Sequence, residues 1–338
     1  MRLSINKPDR QTRRPAVWLI GFGTICFLSA ALLLSAAGCG SDENTSSSEG
    51  KLKIVTSLPL FADFVQNIGG DRVEVSSLVP KGADPHTWEP SPSDVQRVAE
   101  ARIAFANGLN LEPAAIKIIE PNLGDSARLV VLGDKAREAG VAIAQLPEGF
   151  EEEGEQGAPG GGRADDPHLW MDPSNAKRYV AIIRDALDET DPPGKSFYDK
   201  NYEGYVSAIN DTETAVRNEV SKIPETNRKL VTTHDAFGYF AAAFGLRIVA
   251  FVAPSPSQEA SPQDVAKLTD AMKAEAVPAV FVEPQIESEG KILRQAADDA
   301  GVQICTLYSD SLDDRVSSYI EMMRFNANEL KRCLGEGR

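Results

Sequence analysis

Histidine is rare in this sequence, and its positions are the first feature that could do chemistry. The chain of 338 residues contains three histidines, and His86 and His168 each end an Asp-Pro-His tripeptide with a tryptophan two residues further on. His234 follows a short apolar run that is typical of a strand. Because neutral imidazole is the commonest metal ligand and a proline turn holds a side chain in place, we predict that the three rings converge on one divalent cation. For each histidine taken alone, the alternative is an ordinary polar or hydrogen-bonded residue.

A fourth, harder ligand is expected beside three imidazoles. Asp310 directly follows an apolar strand-like run, and ligands of parallel α/β sheets collect where the strands end. His86 and His234 are also expected at strand ends, and His168 just ahead of a helix. We therefore predict Asp310 as the fourth ligand, with a helix N-cap as its alternative role. Glu283 is the second choice, either as a ligand or as the acceptor of an imidazole N–H. Two further acidic residues compete for this place: Asp235 and Glu287.

Strand and helix patterns alternate along the chain and must position these residues. This order predicts an α/β fold with mostly parallel sheets flanked by helices. Strands are predicted at residues 51–57, 73–79, 103–106, 129–132, 229–233, 246–252, 279–282 and 301–308. Helices are predicted after an N-cap at Ser91 and at residues 59–68, 173–187, 196–220, 236–244, 262–274, 290–300 and 316–333. The uninterrupted helix at 196–220 would extend ~40 Å, and we interpret it as a rigid strut that joins two lobes.

The first fifty residues have a different composition from the rest of the chain. Five basic residues precede an apolar run over residues 16–37, and then come Cys39 and a polar stretch. This order is typical of a secretory signal, and residues 34–39 resemble a bacterial lipobox in which the cysteine becomes lipidated. The alternative is an uncleaved transmembrane anchor. Both interpretations predict a domain that faces outside the cytoplasm.

These patterns predict five parts of the chain. They are a signal peptide at 1–38, the lipidated cysteine and a polar tether at 39–50, an N-terminal metal-binding lobe at 51–193, a linking helix at 194–224 and a C-terminal metal-binding lobe at 225–338. Residues 147–166 within the first lobe are rich in glutamate and glycine, which predicts a mobile surface loop.

Charge and cysteine content limit the functions that the chain can have. The net charge of -15 disfavours nucleic-acid binding, which needs a basic face. Cys305 and Cys333 follow the signal region, and the sequence is compatible with one disulfide between them or with two free thiols. We assign neither to the metal site.

Five short motifs occur in order along residues 51–338. They are Asp84-Pro85-His86-Thr87-Trp88-Glu89-Pro90, His168-Leu169-Trp170-Met171-Asp172-Pro173, Thr233-His234-Asp235-Ala236-Phe237-Gly238-Tyr239-Phe240, Phe281-Val282-Glu283-Pro284-Gln285 and Tyr308-Ser309-Asp310-Ser311-Leu312. Together they resemble the motifs of the zinc and manganese solute-binding lipoproteins of ABC transporters. The resemblance implies that His86, His168, His234 and Asp310 are the ligands, that two α/β lobes joined by a backbone helix move little on loading, and that a membrane permease with its ATPase receives the ion. We expect a monomer that is lipid-anchored outside the cytoplasm.

The choice of metal follows from the donor atoms. Three imidazoles and one carboxylate suit tetrahedral Zn²⁺, whereas Mn²⁺ prefers more oxygen ligands. In the family that this chain resembles, manganese-binding members often have glutamate at the third ligand position, where this chain has His234. Zinc is therefore favoured, and manganese is the alternative. The histidine-rich loop of many zinc members is absent, since residues 147–166 contain no histidine.

A zinc hydrolase is the rival class of protein. Catalytic zinc keeps one position open for water beside a general base, and the chain has no His-Glu-x-x-His motif. Four protein ligands would close the site, so we expect no enzymatic activity. A surface adhesin is a third class, for which the sequence has no dedicated feature.

Overall fold

The computed structural model describes residues 50–146, 164–258 and 260–335 of the chain. The predicted signal peptide and lipidated Cys39 lie outside these ranges, as do residues 147–163 of the predicted loop. Within the described ranges, no helix combines the length and the apolar character that crossing a membrane requires.

Eight strands and ten helices form the described part of the chain. The strands are β1 Leu52–Thr56, β2 Val73–Ser77, β3 Ile103–Ala106, β4 Arg128–Val131, β5 Lys229–Thr232, β6 Arg247–Phe251, β7 Ala279–Val282 and β8 Gln303–Thr306. The helices are α1 Pro59–Gly69, α2 Pro92–Glu100, α3 Pro113–Asn122, α4 Leu132–Glu138, α5 Pro173–Thr190, α6 Lys195–Val220, α7 Gly238–Phe244, α8 Pro262–Ala274, α9 Glu287–Ala300 and α10 Tyr319–Leu334.

The strands form two parallel sheets with the same connectivity. Their orders are β2-β1-β3-β4 and β6-β5-β7-β8, so in each sheet the second strand in the chain lies at one edge and the third lies on the other side of the first. We call each sheet with its helices a lobe, the first lobe and the second lobe. In both sheets all strand ends point the same way, and the loops that follow them meet at one edge. The predicted α/β fold with two parallel sheets is confirmed.

The long helix α6 packs against both lobes. It contacts α1 and α5 of the first lobe and α7 and α10 of the second. Its buried residues Ile209 and Val216 belong to one apolar core that also includes Phe105 of the first sheet and Phe281 of the second. A smaller core lies on the other face of each sheet. The two lobes therefore share a core and are not merely tethered.

Helices α3 and α4 are absent from the sequence prediction. Pro121 lies inside α3, and a proline is normally a sign that a helix has ended. Helix α4 has seven residues and begins at Leu132, directly where β4 ends, so its first residue was predicted as part of a strand. Helix α10 begins at Tyr319 and not at residue 316, because the Ser318 side chain caps it by accepting from the Glu321 backbone N–H.

Candidate metal centre

His86 lies in the loop between β2 and α2, in a turn that an aspartate closes. The Asp84 carboxylate accepts a hydrogen bond from the His86 backbone N–H at 3.2 Å and from the Thr87 hydroxyl at 2.6 Å. Pro85 restricts the backbone between them. The first Asp-Pro-His tripeptide therefore forms a stiff turn that directs the imidazole.

The second Asp-Pro-His tripeptide forms a similar turn with one further contact. The Asp166 carboxylate lies 3.0 Å from the His168 backbone nitrogen and 2.8 Å from its ring nitrogen Nδ1. His168 is buried, and the single 3-10 turn Leu169–Met171 follows it before α5 begins. Because Asp166 engages Nδ1, the other ring nitrogen, Nε2, is left to face the crevice.

His234 directly follows β5 at the edge where the strands of the second lobe end. Its Nδ1 lies 3.0 Å from the Glu283 carboxylate, which also accepts hydrogen bonds from the hydroxyls of Thr233 and Ser309. Glu283 thus lies behind the ring of His234, on the side away from the other histidines. Of its two predicted roles, the contacts match that of the acceptor for an imidazole N–H.

Asp310 lies among the three rings. Its carboxylate oxygens are 3.7 Å from Nε2 of His86, 3.5 Å from Nε2 of His168 and 3.0 Å from Nε2 of His234. The ring centroids of the histidines are 5.3–5.7 Å apart. One donor atom from each of the four residues lies within 4.8 Å of every other. The structure thus brings together the four residues that the sequence pointed to, and Asp235 and Glu287 are not in this cluster.

The donor atoms fit a divalent transition metal. The Nε2 atoms and both Asp310 oxygens are buried and have no hydrogen-bond partner among the described residues. Four donors around tetrahedral zinc are separated by roughly 3.3 Å, given Zn–N and Zn–O distances of about 2.0–2.1 Å. The three separations between Asp310 oxygens and the ring nitrogens, 3.0–3.7 Å, bracket that value. Because both oxygens of Asp310 face the rings, the carboxylate can also bind through two atoms.

A comparison with known families identifies the chain. Residues 54–333 match the sequence profile of ZnuA, described as zinc-uptake complex component A, periplasmic. The chain belongs to the ZnuA family.

The relatives of this chain carry names of both metals. The chain is 34% identical to the manganese-binding lipoprotein MntA of Halalkalibacterium halodurans, over 89% of this chain and 95% of the relative. It is 28% identical to the manganese ABC transporter substrate-binding lipoprotein PsaA of Streptococcus pneumoniae, over 94% of this chain and 99% of PsaA. The solved periplasmic zinc-binding protein TroA of Treponema pallidum superposes with a TM-score of 0.74 at 28% identity, covering 85% of this chain and all of TroA.

Acidic neighbours raise the pKa values of two rings in the cluster. Burial disfavours a charged imidazole, yet the carboxylates of Asp310 and Asp166 outweigh it and raise the pKa of His168. For His234, burial is likewise outweighed, by Glu283 and Asp310, and the pKa lies well above its usual value. Burial would raise the pKa of Asp310, but the two rings lower it far below the ordinary range. Protons therefore compete with an arriving cation for the rings.

The sequence indicated that the Asp-Pro-His turn and the nearby tryptophan hold His168 in place, but it did not predict which atoms Asp166 and Trp170 contact. The repeated tripeptide was the available signal for Asp166, since an aspartate stands two residues before both His86 and His168. Trp170 is fully buried and its indole N–H donates to the Ser309 backbone carbonyl at 3.1 Å. A local sequence pattern cannot predict that contact, because the two residues are 139 positions apart.

The two cysteines of the second lobe form a disulfide. Cys305 of β8 and Cys333 of α10 are bonded, which decides between the two alternatives that the sequence left open. Glu329 lies near both sulfurs, but bonded cysteines offer no thiolate to a metal. The disulfide therefore ties α10 to the sheet and is separate from the histidine cluster.

A cleft of about 320 Å³ lies beside the His86 loop. Asp84 and Thr87 line it from the first lobe, and Gln285 and Glu289 are among its lining residues from the second. The His86 side chain is 8% exposed, whereas those of His234 and Asp310 are 0% exposed. The cluster is therefore nearest to solvent on its His86 side.

Proposed function

We propose that this protein binds one divalent transition-metal ion through His86, His168, His234 and Asp310, with zinc as the preferred cargo. The observation that carries the proposal is the convergence of three Nε2 atoms and one carboxylate at ligand spacing, with the other side of two rings held by acidic residues. The protein is the substrate-binding component of a metal ABC transporter, as its family membership and relatives establish.

Zinc is preferred because of the donor atoms of the cluster. Three imidazole nitrogens are intermediate in softness and suit zinc, whereas manganese is better served by oxygen. The names of the relatives include both zinc and manganese, so the donor set carries this part of the proposal. Manganese is the second cargo, and both oxygens of Asp310 would then bind it.

Capture and release, and not catalysis, suit the cluster. Four protein donors fill a tetrahedral zinc shell and leave no position at which a water molecule could be activated. The two acidic residues nearest the rings, Asp166 and Glu283, each engage a ring Nδ1. Neither is positioned as a general base toward a substrate on the metal. The ZnuA-family relatives are named as binding proteins, which supports the same conclusion.

The remainder of the proposal concerns where the protein acts and how it is built. Lipidated Cys39 anchors the chain outside the cytoplasm, and the polar tether at 39–50 separates the metal-binding lobes from the membrane. Residues 51–193 and 225–338 form the two lobes, and 194–224 link them. As a monomer, the loaded protein delivers its ion to a membrane permease that works with an ATPase. The relatives named as lipoproteins support the anchor.

Metal content and affinity test the proposal directly. Elemental analysis of protein purified without added metal should find up to one ion per chain. In a separate experiment that offers zinc and manganese together, zinc should be the dominant bound metal. Changing His86, His168, His234 or Asp310 to alanine should lower zinc affinity by more than the roughly 10- to 100-fold that loss of a supporting contact costs. A competition titration against a zinc-binding dye measures this.

Asp314 offers a matched control for Asp310. It is exposed, lies four residues further along the same loop, and is outside the metal cluster. Asp314→Ala should leave zinc affinity unchanged. A triple histidine variant that bound zinc as wild type would place the site elsewhere, and an unaffected Asp310→Ala variant would move the fourth ligand to another residue.

A further inference from the structure

Trp170 connects the segment that carries His168 to the segment that carries Asp310. Its indole N–H donates to the carbonyl of Ser309, the residue directly before Asp310, at 3.1 Å. Its own carbonyl accepts the hydroxyl of Tyr319, the first residue of α10, at 3.0 Å. Trp170 belongs to the first lobe and both partners belong to the second, so these two hydrogen bonds cross between the lobes.

The same contacts continue to His234. The Ser309 hydroxyl donates to Glu283, and the Glu283 carboxylate holds Nδ1 of His234. On its other side, the Trp170 ring meets the His168 ring edge-on, with centroids 5.7 Å apart. A continuous set of contacts therefore runs from His168 through Trp170 and Ser309 to Glu283 and His234.

Tyr319 is in turn held by the first lobe. Its backbone N–H donates to the Asp63 carboxylate of α1 at 3.0 Å, and the Tyr205 hydroxyl of α6 donates to the same oxygen at 3.0 Å. The Tyr319 ring is fully buried against Phe64. The residue that holds the Trp170 carbonyl is therefore itself immobilised at its backbone and its ring.

None of these hydrogen bonds involves an atom that would bind the metal, that is, a histidine Nε2 or an Asp310 carboxylate oxygen. They can persist whether or not an ion is bound, so they can set the distance between His168 and Asp310 in advance. Removing the donor of a buried carbonyl such as that of Ser309 is costly in free energy, because no water replaces the lost hydrogen bond. The lobes thus have a definite relative position that the ion does not need to create.

We infer that Trp170 and Tyr319 are positioning residues that hold His168 and Asp310 at the spacing of a compact four-donor site and thereby favour zinc over manganese. The inference rests on the proposed function. Zinc binds best where four donors lie close and fixed, whereas manganese accepts a wider site and fills its remaining positions with water or further oxygens. Loosening the spacing should therefore weaken zinc binding more than manganese binding.

Two conservative variants test this inference. Trp170→Phe keeps an aromatic ring and removes the indole N–H, and Tyr319→Phe removes one hydroxyl. Each should speed zinc dissociation roughly tenfold, the lower end of the cost of losing a contact that supports a metal ligand. Each should also lower the ratio of zinc affinity to manganese affinity severalfold. Chelator-driven stopped-flow release measures the first quantity, and competition titrations with each metal measure the second.

Tyr198→Phe is the matched control. Tyr198 is also a buried tyrosine, its hydroxyl donates to Asp191 at 2.5 Å, and neither residue belongs to the metal cluster. This variant should leave both the dissociation rate and the affinity ratio as in wild type. The ratio separates positioning from general destabilisation, since a less stable fold would weaken both metals alike.

The outcomes distinguish this inference from the proposed function. Wild-type protein that bound neither metal through its histidines would overturn the proposed function itself. Wild-type binding together with unchanged release and an unchanged ratio in Tyr319→Phe and Trp170→Phe would overturn only the role of these two residues. An equal effect in Tyr198→Phe would also overturn it. If Trp170→Phe does not fold, Tyr319→Phe, which removes a single oxygen atom, decides the question.

Discussion

Each of two imidazoles in the cluster is held from behind by a carboxylate. Asp166 contacts Nδ1 of His168 at 2.8 Å, and Glu283 contacts Nδ1 of His234 at 3.0 Å. A carboxylate at Nδ1 keeps the proton on that nitrogen, directs Nε2 toward the metal and makes it a better donor. At the scale of single residues, the acidic partners thus orient the rings and strengthen their Nε2 atoms as donors.

Asp166→Asn should weaken zinc binding roughly tenfold. The amide keeps the shape of the side chain and can still accept from the backbone, but it removes the negative charge beside the His168 ring. Asp165→Asn is the control, because Asp165 contacts Arg137 and Gln145 and not a histidine. Equal zinc affinities of the two variants in a competition titration would show that the charge of Asp166 has no effect on His168.

A second buried carboxyl of the first lobe, that of Glu112, supports the His168 turn through Asn107. Glu112 accepts a hydrogen bond from the Asn107 backbone N–H at 2.6 Å, and the Asn107 side chain donates to the Pro167 carbonyl at 3.0 Å. Pro167 directly precedes His168. Burial raises the pKa of Glu112 to about 7.

The raised pKa of Glu112 predicts a pH-dependent stability. Between pH 4.5, the ordinary value, and about 7, this carboxyl is protonated in the folded chain and ionised in the unfolded chain. Its contribution is therefore complete below about pH 4.5 and is lost as the pH rises through about 7, by up to roughly 3 kcal/mol. Glu112→Gln cannot ionise and should lack this loss. Denaturant unfolding of both metal-free chains at pH 5 and pH 8 measures it, and an identical difference between the chains at both values would contradict the prediction.

At the scale of elements, a disulfide joins helix α10 to strand β8 of the second lobe. Cys305 of β8 is bonded to Cys333 near the end of α10, and the two residues are separated by 28 positions. Helix α10 also packs against α6 and carries Tyr319 at its first position. The disulfide therefore closes residues 305–333 into a loop that contains Asp310.

Removing this disulfide should destabilise the fold but leave the metal cluster intact. For a closed loop of 28 residues, the chain-entropy relation gives about 3–4 kcal/mol. A Cys305→Ala/Cys333→Ala double variant should lose about this much free energy of unfolding and keep wild-type zinc affinity, because neither sulfur contacts a ligand. Reduced wild type serves as a second preparation that should behave alike. A large loss of affinity in the folded double variant would show that the disulfide positions Asp310.

At the scale of the whole molecule, an ion in the cluster joins residues of both lobes. His86 and His168 come from the first lobe, and His234 and Asp310 from the second. The lobes already share one apolar core with α6. We therefore expect metal binding to stabilise the folded chain without a large rearrangement.

The stabilisation by zinc should disappear in mild acid. The pKa values of His168 and His234 are raised in the metal-free fold, so protons compete with zinc and also stabilise the metal-free chain at low pH. Both effects widen the difference between loaded and metal-free protein as the pH rises. Near pH 7.5, free zinc at about 100 times Kd should add roughly 3 kcal/mol.

Melting curves with and without zinc across this pH range measure the difference. A metal-induced shift that is undiminished below pH ~4.5, where free imidazole is almost wholly protonated, would contradict a site built on histidines.

The convergence of the cluster could be predicted from the sequence for a physical reason. Parallel strands end at one edge of a sheet, so side chains that follow apolar strand runs are brought together whatever the packing details. His86, His234 and Asp310 have that placement, and the strands before them are β2, β5 and β8. The order of strands and helices likewise depends on local patterns of apolar residues, which is why the α/β fold and the long helix were predictable.

The tertiary structure alone decided which residues hold the cluster in place. The contact of Trp170 with Ser309, the burial of Glu112 and the bond between Cys305 and Cys333 each depend on how distant segments pack. The same holds for Glu283, whose position behind His234 distinguishes an acceptor from a ligand. Residue types and spacing determined which donor atoms this protein offers to a metal. Their exact partners depend on distances across the fold, and a linear pattern carries no information about those distances.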